Sequence, residues 1–417
     1  MTTTTARTFV EFHALRSFPP SNLNRDDLGA PKTAIFGGKR RLRVSSQCLK
    51  RTWRTSSEMT GAFAESELGV RTAHLPSQVL LMMGDALTAE QQEGLRLLLS
   101  MLGRKGAKAE KSPDADTDDA EGDEGVIPAA DTPITDATTA HLLFLSRQEV
   151  EAVAEFARDR GADLGNLRTG KKRAIDTKKL EGLRKKLEEH LNTKTTRNAV
   201  DVGLFGRFIT SDEFDTIDGA LHVAHGLGTQ KVDVEYDYFT AVDDLGESAG
   251  AGHLGESEFA SSVLYLFASC DLEQLKTNLG ERSGKTRVVD AHATSLAARS
   301  LAAIAKAMAL ATPTGKRTGT APYTPAAYLE VVVRRQHPLS LANAFLQPVV
   351  PRGDDDVMKV SIERLVAERQ RNESAYGLVP EARFVLSLRP EVTGDQNVTT
   401  LAELGQKLEA LLGREHH

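Results

Sequence analysis

A polypeptide folds only where buried apolar surface offsets the entropy of ordering its backbone, and residues 104–138 offer too little of that surface. Their centre, 112–131, carries eight acidic residues, no basic one and no aromatic ring. The expectation is a disordered acidic loop that divides the chain into separately packed stretches, with no role of its own assigned. The tract also distorts the average charge. Lys plus Arg number 52 against 58 Asp plus Glu, a formal −6, and removing the tract's eight acids turns this into +2. Total charge, which argues against a polyanionic partner, is therefore the wrong statistic. The placement of the bases decides.

They crowd into Lys39–Arg54 (KRRLRVSSQCLKRTWR), with seven bases in sixteen residues and no acid. Most charge runs are solvated faces, but the context here is more specific. Phe36-Gly37-Gly38 gives a turn of close backbone approach. Ser45 and Ser46 are N-cap candidates for a helix over Gln47–Ser56. Such a helix sets Lys50 and Arg54 on one face, near its free N–H groups. Loop bases, hydroxyls, an amide and helix bases together make a phosphate cradle. A second basic stretch, Lys171-Lys172-Arg173, Lys178-Lys179 and Arg184-Lys185-Lys186, is interleaved with Glu181, Glu188 and Glu189 and reads equally as a solvated face or a binding track.

The 417 residues allow two or three domains with substantial cores. Only 22 are aromatic, which argues against an extended base-stacking surface. No run of about 18 apolar residues suggests a membrane span. The start, Met-Thr-Thr-Thr-Thr-Ala-Arg, has no apolar signal core, so a cytoplasmic location is expected. Cys48 and Cys270 are too few for a zinc site and fit a reducing compartment; no metal or cofactor is expected.

Periodicity gives the organisation. Residues 7–15 alternate as a strand, with Val10, Phe12 and Ala14 on one side. Helices are predicted at about 46–66, 88–103, 146–160 and 176–192, which makes 60–195 a largely helical insertion. Leu204–Ile209 reads as a short strand and 217–227 as an amphipathic helix. Val232–Val242 and Phe259–Ala268 read as two strands that pair into a long hairpin with a projecting tip over 243–258. An Ala-rich helix follows at 287–311. Strands at 328–334 and 384–388 and helices at 358–374 and 398–412 complete an α+β chain with a split sheet.

No catalytic constellation emerges. Gly284-Lys285-Thr286 lacks the spacing of a phosphate-binding loop, because Leu279 stands where the first Gly is required. His222 and His225, three apart, have no carboxylate at a metal-ligand spacing. Asp26-Asp27 and Asp243-Asp244 keep a magnesium-dependent nuclease as the alternative, although adjacent carboxylates in an extended chain point apart.

Asn22–Asp27, followed by Ile35–Arg51 (IFGGKRRLRVSSQCLKR), resembles the CasC family, also called Cse4, the backbone subunits of type I-E CRISPR Cascade complexes. Leu204–Phe208 (LFGRF), Asp218-Gly219-Ala220, Phe239–Asp244 (FTAVDD), His253-Leu254-Gly255 and Pro338–Phe345 (PLSLANAF) extend the resemblance in order along the chain. It implies a hand-like fold: an RRM-like palm (1–58, 196–228 and 263–417), a helical fingers insertion (59–195) and a β-hairpin thumb (229–262). It implies a non-catalytic subunit whose partners are CRISPR guide RNA, target DNA, further copies of itself and other Cascade subunits. By the resemblance, Arg25, Lys32, Ser45, Gln47, Lys50 and Arg54 contact the guide backbone, and Lys39, Arg40, Arg41 and Arg43 belong to the same basic cradle. Phe208 stands where the family inserts a flexible Met against the bases. Tyr238, Phe239 and Thr240 match the thumb wedge at a displaced base. Lys178, Lys179 and Lys185 match a finger track for target DNA, with Gly182 interrupting it.

Overall fold

The computed structural model describes residues 7–102, 138–139, 141–169, 174–194, 196–209, 213–242, 251–283, 286–335, 337–394 and 396–414. The acidic stretch 104–137 lies outside them, as do Lys171–Arg173 and Asp243-Asp244. In chain order the principal elements are β1 (Thr8–Ser21), β2 (Thr33–Phe36), β3 (Lys39–Val44), α1 (Ser46–Arg54), α2 (Leu75–Met83), α3 (Ala89–Ser100), α4 (Arg147–Asp159), α5 (Thr177–Thr193) and α6 (Val200–Phe205). Then follow β4 (Leu221–Val223), β5 (Gly226–Gly228), β6 (Glu235–Val242), β7 (Ala251–Asp271), α7 (Leu272–Leu279), α8 (Ala291–Leu310), β8 (Tyr328–Arg335), α9 (Val357–Tyr376), β9 (Ala382–Ser387) and α10 (Leu401–Leu412).

The chain divides into two units. The first comprises Met1–Phe63, Ala220–Lys276 and Thr294–His417 and contains one nine-stranded sheet. Its order is β9-β8-β1-β7-β5-β3-β2, with β4 and β6 also paired to β7, and every pairing is antiparallel. The architecture is mixed α+β. β1 is central, between β7 and β8, and both of its faces are covered. The face of Leu15 contributes to an apolar core with Tyr265, Tyr328, Phe345, Ile362, Leu365 and Val385, so α9 closes that side. On the same face Glu11 and His13 are buried as well, alternating with Val10, Phe12 and Ala14 on the other. Arg16, on the opposite face, donates to Leu310 O at 3.1 Å and Ala311 O at 2.5 Å, placing a cation on the open carbonyls at the end of α8.

The second unit comprises Ala64–Gly219 and Thr277–Ala293. Leu180, Leu183, Leu187 and Leu191 form the buried stripe of α5 and join Leu95, Leu98 and Leu99 of α3 with Val153 and Phe156 of α4 in one core. Thr88 and Ser146 start α3 and α4 with reciprocal capping by Gln91 and Glu149.

Three expectations are corrected. The strand over Leu204–Ile209 is the end of α6 followed by a turn at Gly206, whose φ of 81° and ψ of 168° suit glycine alone. The helix over 217–227 is two short strands, β4 and β5. Gly226 and Gly228 leave space for Leu266 and Ser262, which a Cβ would meet at 2.8 Å in each case. The hairpin forms, but its second strand begins inside the stretch read as the tip: Glu235 opposes Phe259 and Phe239 opposes Gly255. Residues 260–271 of β7 pair instead with β1 and, in shorter stretches, with β4 and β5.

Candidate nucleic-acid interface

β2 and β3 form a two-residue hairpin in which Phe36 opposes Lys39. Gly37 and Gly38 have φ of 58° and 72°, the left-handed pair such a tight turn requires. A Cβ on Gly37 would lie 1.6 Å from Leu346 O, so no other residue fits there. The turn presents Lys39 and Arg40 to solvent. Arg41 turns inward. It is fully buried and donates to the carbonyls of Gly228 (3.1 Å), Thr229 (2.9 Å), Phe345 (2.9 Å) and Leu346 (3.3 Å). Its assignment to the cradle surface is therefore corrected: the strand alternation directs Arg41 under the 345–346 segment, whose carbonyls need donors.

From β3 the chain passes into α1 through the expected N-cap. Ser45 Oγ accepts from Cys48 N–H at 3.3 Å, and Ser45 N–H donates to Asn24 Oδ1 at 2.8 Å. Lys32 is fixed by its backbone, donating to Asn24 O at 2.8 Å and accepting from Arg43 N–H at 2.9 Å. Ser46 N–H donates to His225 Nδ1 at 3.0 Å. Gln47 N–H has no protein acceptor among the described residues. Leu49 and Trp53 bury one face of α1, while Gln47 is exposed and Lys50 and Arg54 are half-buried. Burial lowers the Lys50 ammonium below the ordinary lysine value. Arg25 is exposed beside these groups in sequence, in a turn that Asp26 closes by accepting from Leu28 N–H and Ala30 N–H at 3.0 and 2.9 Å. Asp26 is thus engaged in local structure.

On the hairpin, Tyr238 is 68% exposed and Phe239 48%, and the Phe239 ring lies against Gly255. Thr240 opposes Leu254 in the ladder. In the second unit Phe208 is 85% exposed. Its neighbour Arg207 is buried, ion-paired to Glu149 at 2.9 Å and bridged to Ile217, so the turn at Gly206 sends one side chain inward and the next outward.

A family model described as CT1975-like protein matches residues 10–413. The chain belongs to this family. Solved structures agree with it in fold. A chain of a "CRISPR RNA-guided surveillance complex, pre-nicking" superposes with a TM-score of 0.72 at 25% identity, covering 97% of this chain and 100% of that one. A chain of a "CRISPR RNA-guided surveillance complex" gives a TM-score of 0.63 at 23% identity, covering 96% and 99%. No curated protein matches the sequence.

In this CT1975-like protein Lys178, Lys179 and Lys185 are exposed on α5. Lys179 Nζ donates to Asn166 O at 3.3 Å and faces Asp176 at 3.9 Å, while neighbouring Lys186 pairs with Asp163 at 3.3 Å. A Cβ on Gly182 would meet nothing within 4 Å, so the interruption has no packing cause. Two polar residues bonded to this basic segment escape the charge pattern. Asn24 is neutral, and its role shows only in the hydrogen bonds it makes to Lys32 and Ser45. His225 reads in sequence as half of a helical pair with His222, whereas the register Val44–Gly226 sets it beside Ser45.

Proposed function

We propose that this chain is a type I-E, CasC-like backbone subunit of a Cascade surveillance complex, which holds CRISPR guide RNA by its phosphates and presents its bases to target DNA. It is non-catalytic, and copies of it assemble along one guide with other Cascade subunits in the cytoplasm. Residues 1–58, 196–228 and 263–417 act as an RRM-like palm, 59–195 as fingers and 229–262 as thumb.

The observation that carries this reading is the cradle. Arg25, Lys32, Lys39, Arg40, Arg43, Lys50 and Arg54 are spread over the β2–β3 hairpin, the segment before it and α1, with Ser45 capping α1 and Gln47 exposed in its first turn. Such groups grip a backbone without reading sequence, as suits a protein whose specificity is supplied by the RNA itself. Likeness to chains of CRISPR RNA-guided surveillance complexes supports the same assignment. Tyr238, Phe239 and Thr240 of the hairpin and Phe208 supply the few apolar wedges the role needs, and Lys178, Lys179 and Lys185 face target DNA.

The test is guide-RNA binding by a Lys50→Ala, Arg54→Ala double variant. Losing two phosphate contacts should weaken binding about tenfold or more at moderate salt and flatten the log–log salt dependence by about 1.4. Full retention of affinity and slope overturns the cradle assignment.

A further inference from the structure

We infer that His225 is a further guide-RNA contact, a neutral hydrogen-bond donor that offers its Nε2–H to a phosphodiester oxygen held between Lys32 and Arg43. This rests on the cradle proposed above and adds to it a residue of a different physical kind.

The argument begins with the ring's other nitrogen. Ser46 N–H donates to His225 Nδ1 at 3.0 Å. A backbone amide can only donate, so Nδ1 is a bare acceptor and the single proton of the neutral ring sits on Nε2. The tautomer is set by the same amide that opens α1. His225 is exposed, and Nε2 has no protein partner among the described residues, so the fixed N–H faces solvent. Its position is equally fixed. The pairing of Val44 with Gly226 holds residue 225 against Ser45, and Arg43 N–H on Lys32 O ties both neighbouring cations to the same strand end.

The surrounding charges keep the ring neutral. Burial, then Arg43 from β3 and Lys32 from the segment before β2, lower its pKa below the ordinary histidine value. A phosphate entering between those cations would favour the imidazolium. However, protonating Nδ1 would set two donors against each other at Ser46. The ring therefore binds without taking up a proton and releases no counterion of its own.

The experiment compares single-stranded RNA binding by the wild-type chain, His225→Ala, His225→Gln and Lys32→Ala, each titrated over a range of salt concentrations. The expected result is a roughly 10- to 100-fold loss for His225→Ala, the size of one hydrogen bond from a neutral donor to a charged acceptor, with the salt slope unchanged. His225→Gln, which keeps a donor, recovers part of the loss. Lys32→Ala should lower the slope by about 0.7. Wild-type affinity should be flat between roughly pH 6.5 and 8, and nitrogen NMR should report a protonated Nε2 and bare Nδ1 before and after RNA is added.

A drop in slope for His225→Ala, or a two-proton ring in the complex, overturns the neutral donor. Unchanged affinity for His225→Ala beside a weakened Lys32→Ala reduces His225 to a support for α1 and overturns the inference alone. A loss seen with RNA but absent with DNA of the same sequence moves the contact to a 2′-hydroxyl and overturns the phosphate assignment. If the Lys32 and Lys50 variants also bind normally, the cradle itself fails and the inference falls with it.

Discussion

Lys50 is half-buried on α1, and desolvation lowers its ammonium from the ordinary lysine value. A group whose folded pKa is lowered in this way opposes folding at neutral pH, and that penalty fades as pH rises through the lowered folded value and is gone above the unfolded one. The charge is therefore held at the expense of the RNA-free protein. Lys50→Met keeps the side chain's length and removes its charge. It should raise the melting temperature of the RNA-free protein by roughly 2 °C while weakening RNA binding, as calorimetry and a binding titration would show. The basic run 39–54 was legible as composition, and Ser45 as a cap. The direction of each base was not. Arg41 and Arg40 are indistinguishable as letters, yet one is spent on four backbone carbonyls and the other faces solvent.

At the scale of elements, propensity read long periodic segments well and short ones poorly. The helices α3, α4, α5, α8, α9 and α10 follow their apolar spacing, and β1 its alternation, because each carries enough repeats to define a face. Leu204–Ile209 misled because its hydrophobicity comes from two structures joined at Gly206. A Cβ there would lie 2.7 Å from Gly219 N and 2.8 Å from Ile217 O, in a backbone region closed to other residues. Gly206→Ala should therefore destabilise the protein by about 1–3 kcal/mol and, by shifting the turn, weaken RNA binding as well. Phe208→Ala, at an exposed position, should leave the melting curve within about 1 °C of wild type and weaken RNA binding alone. Thermal melts and a binding titration of both variants separate the turn from the side chain it displays.

At the scale of the molecule, a buried ionic network spans β1, β8, β9 and α9. Glu330 Oε1 accepts from Arg369 at 2.9 Å and is ion-paired to Arg383 at 2.9 Å, while Glu11 accepts from Arg334 at 3.1 Å and Glu373 from Arg334 at 2.9 Å. Nothing in the alternation of β1 announced it, because burial of a polar face depends on what the distant α9 brings over it. Burial pushes the Glu330 carboxyl up, but His13, Arg369, Arg383 and the Tyr328 hydroxyl together hold it below the ordinary glutamate value. Its contribution to stability is thus present above the unfolded pKa and is lost as pH falls through the lower folded one. Glu330→Gln should cost about 3 kcal/mol at pH 7 by leaving guanidinium charges uncompensated, and should flatten the acid limb of unfolding, measured by urea titration at several pH values. The central place of β1 also has a consequence for synthesis. Its partners β7 and β8 leave the ribosome about 250 and 320 residues after it. At the usual 5–20 residues per second, the first strand made waits roughly 10–60 s with both edges bare. The nascent chain should therefore be a client for holding chaperones until its middle and its end have been translated.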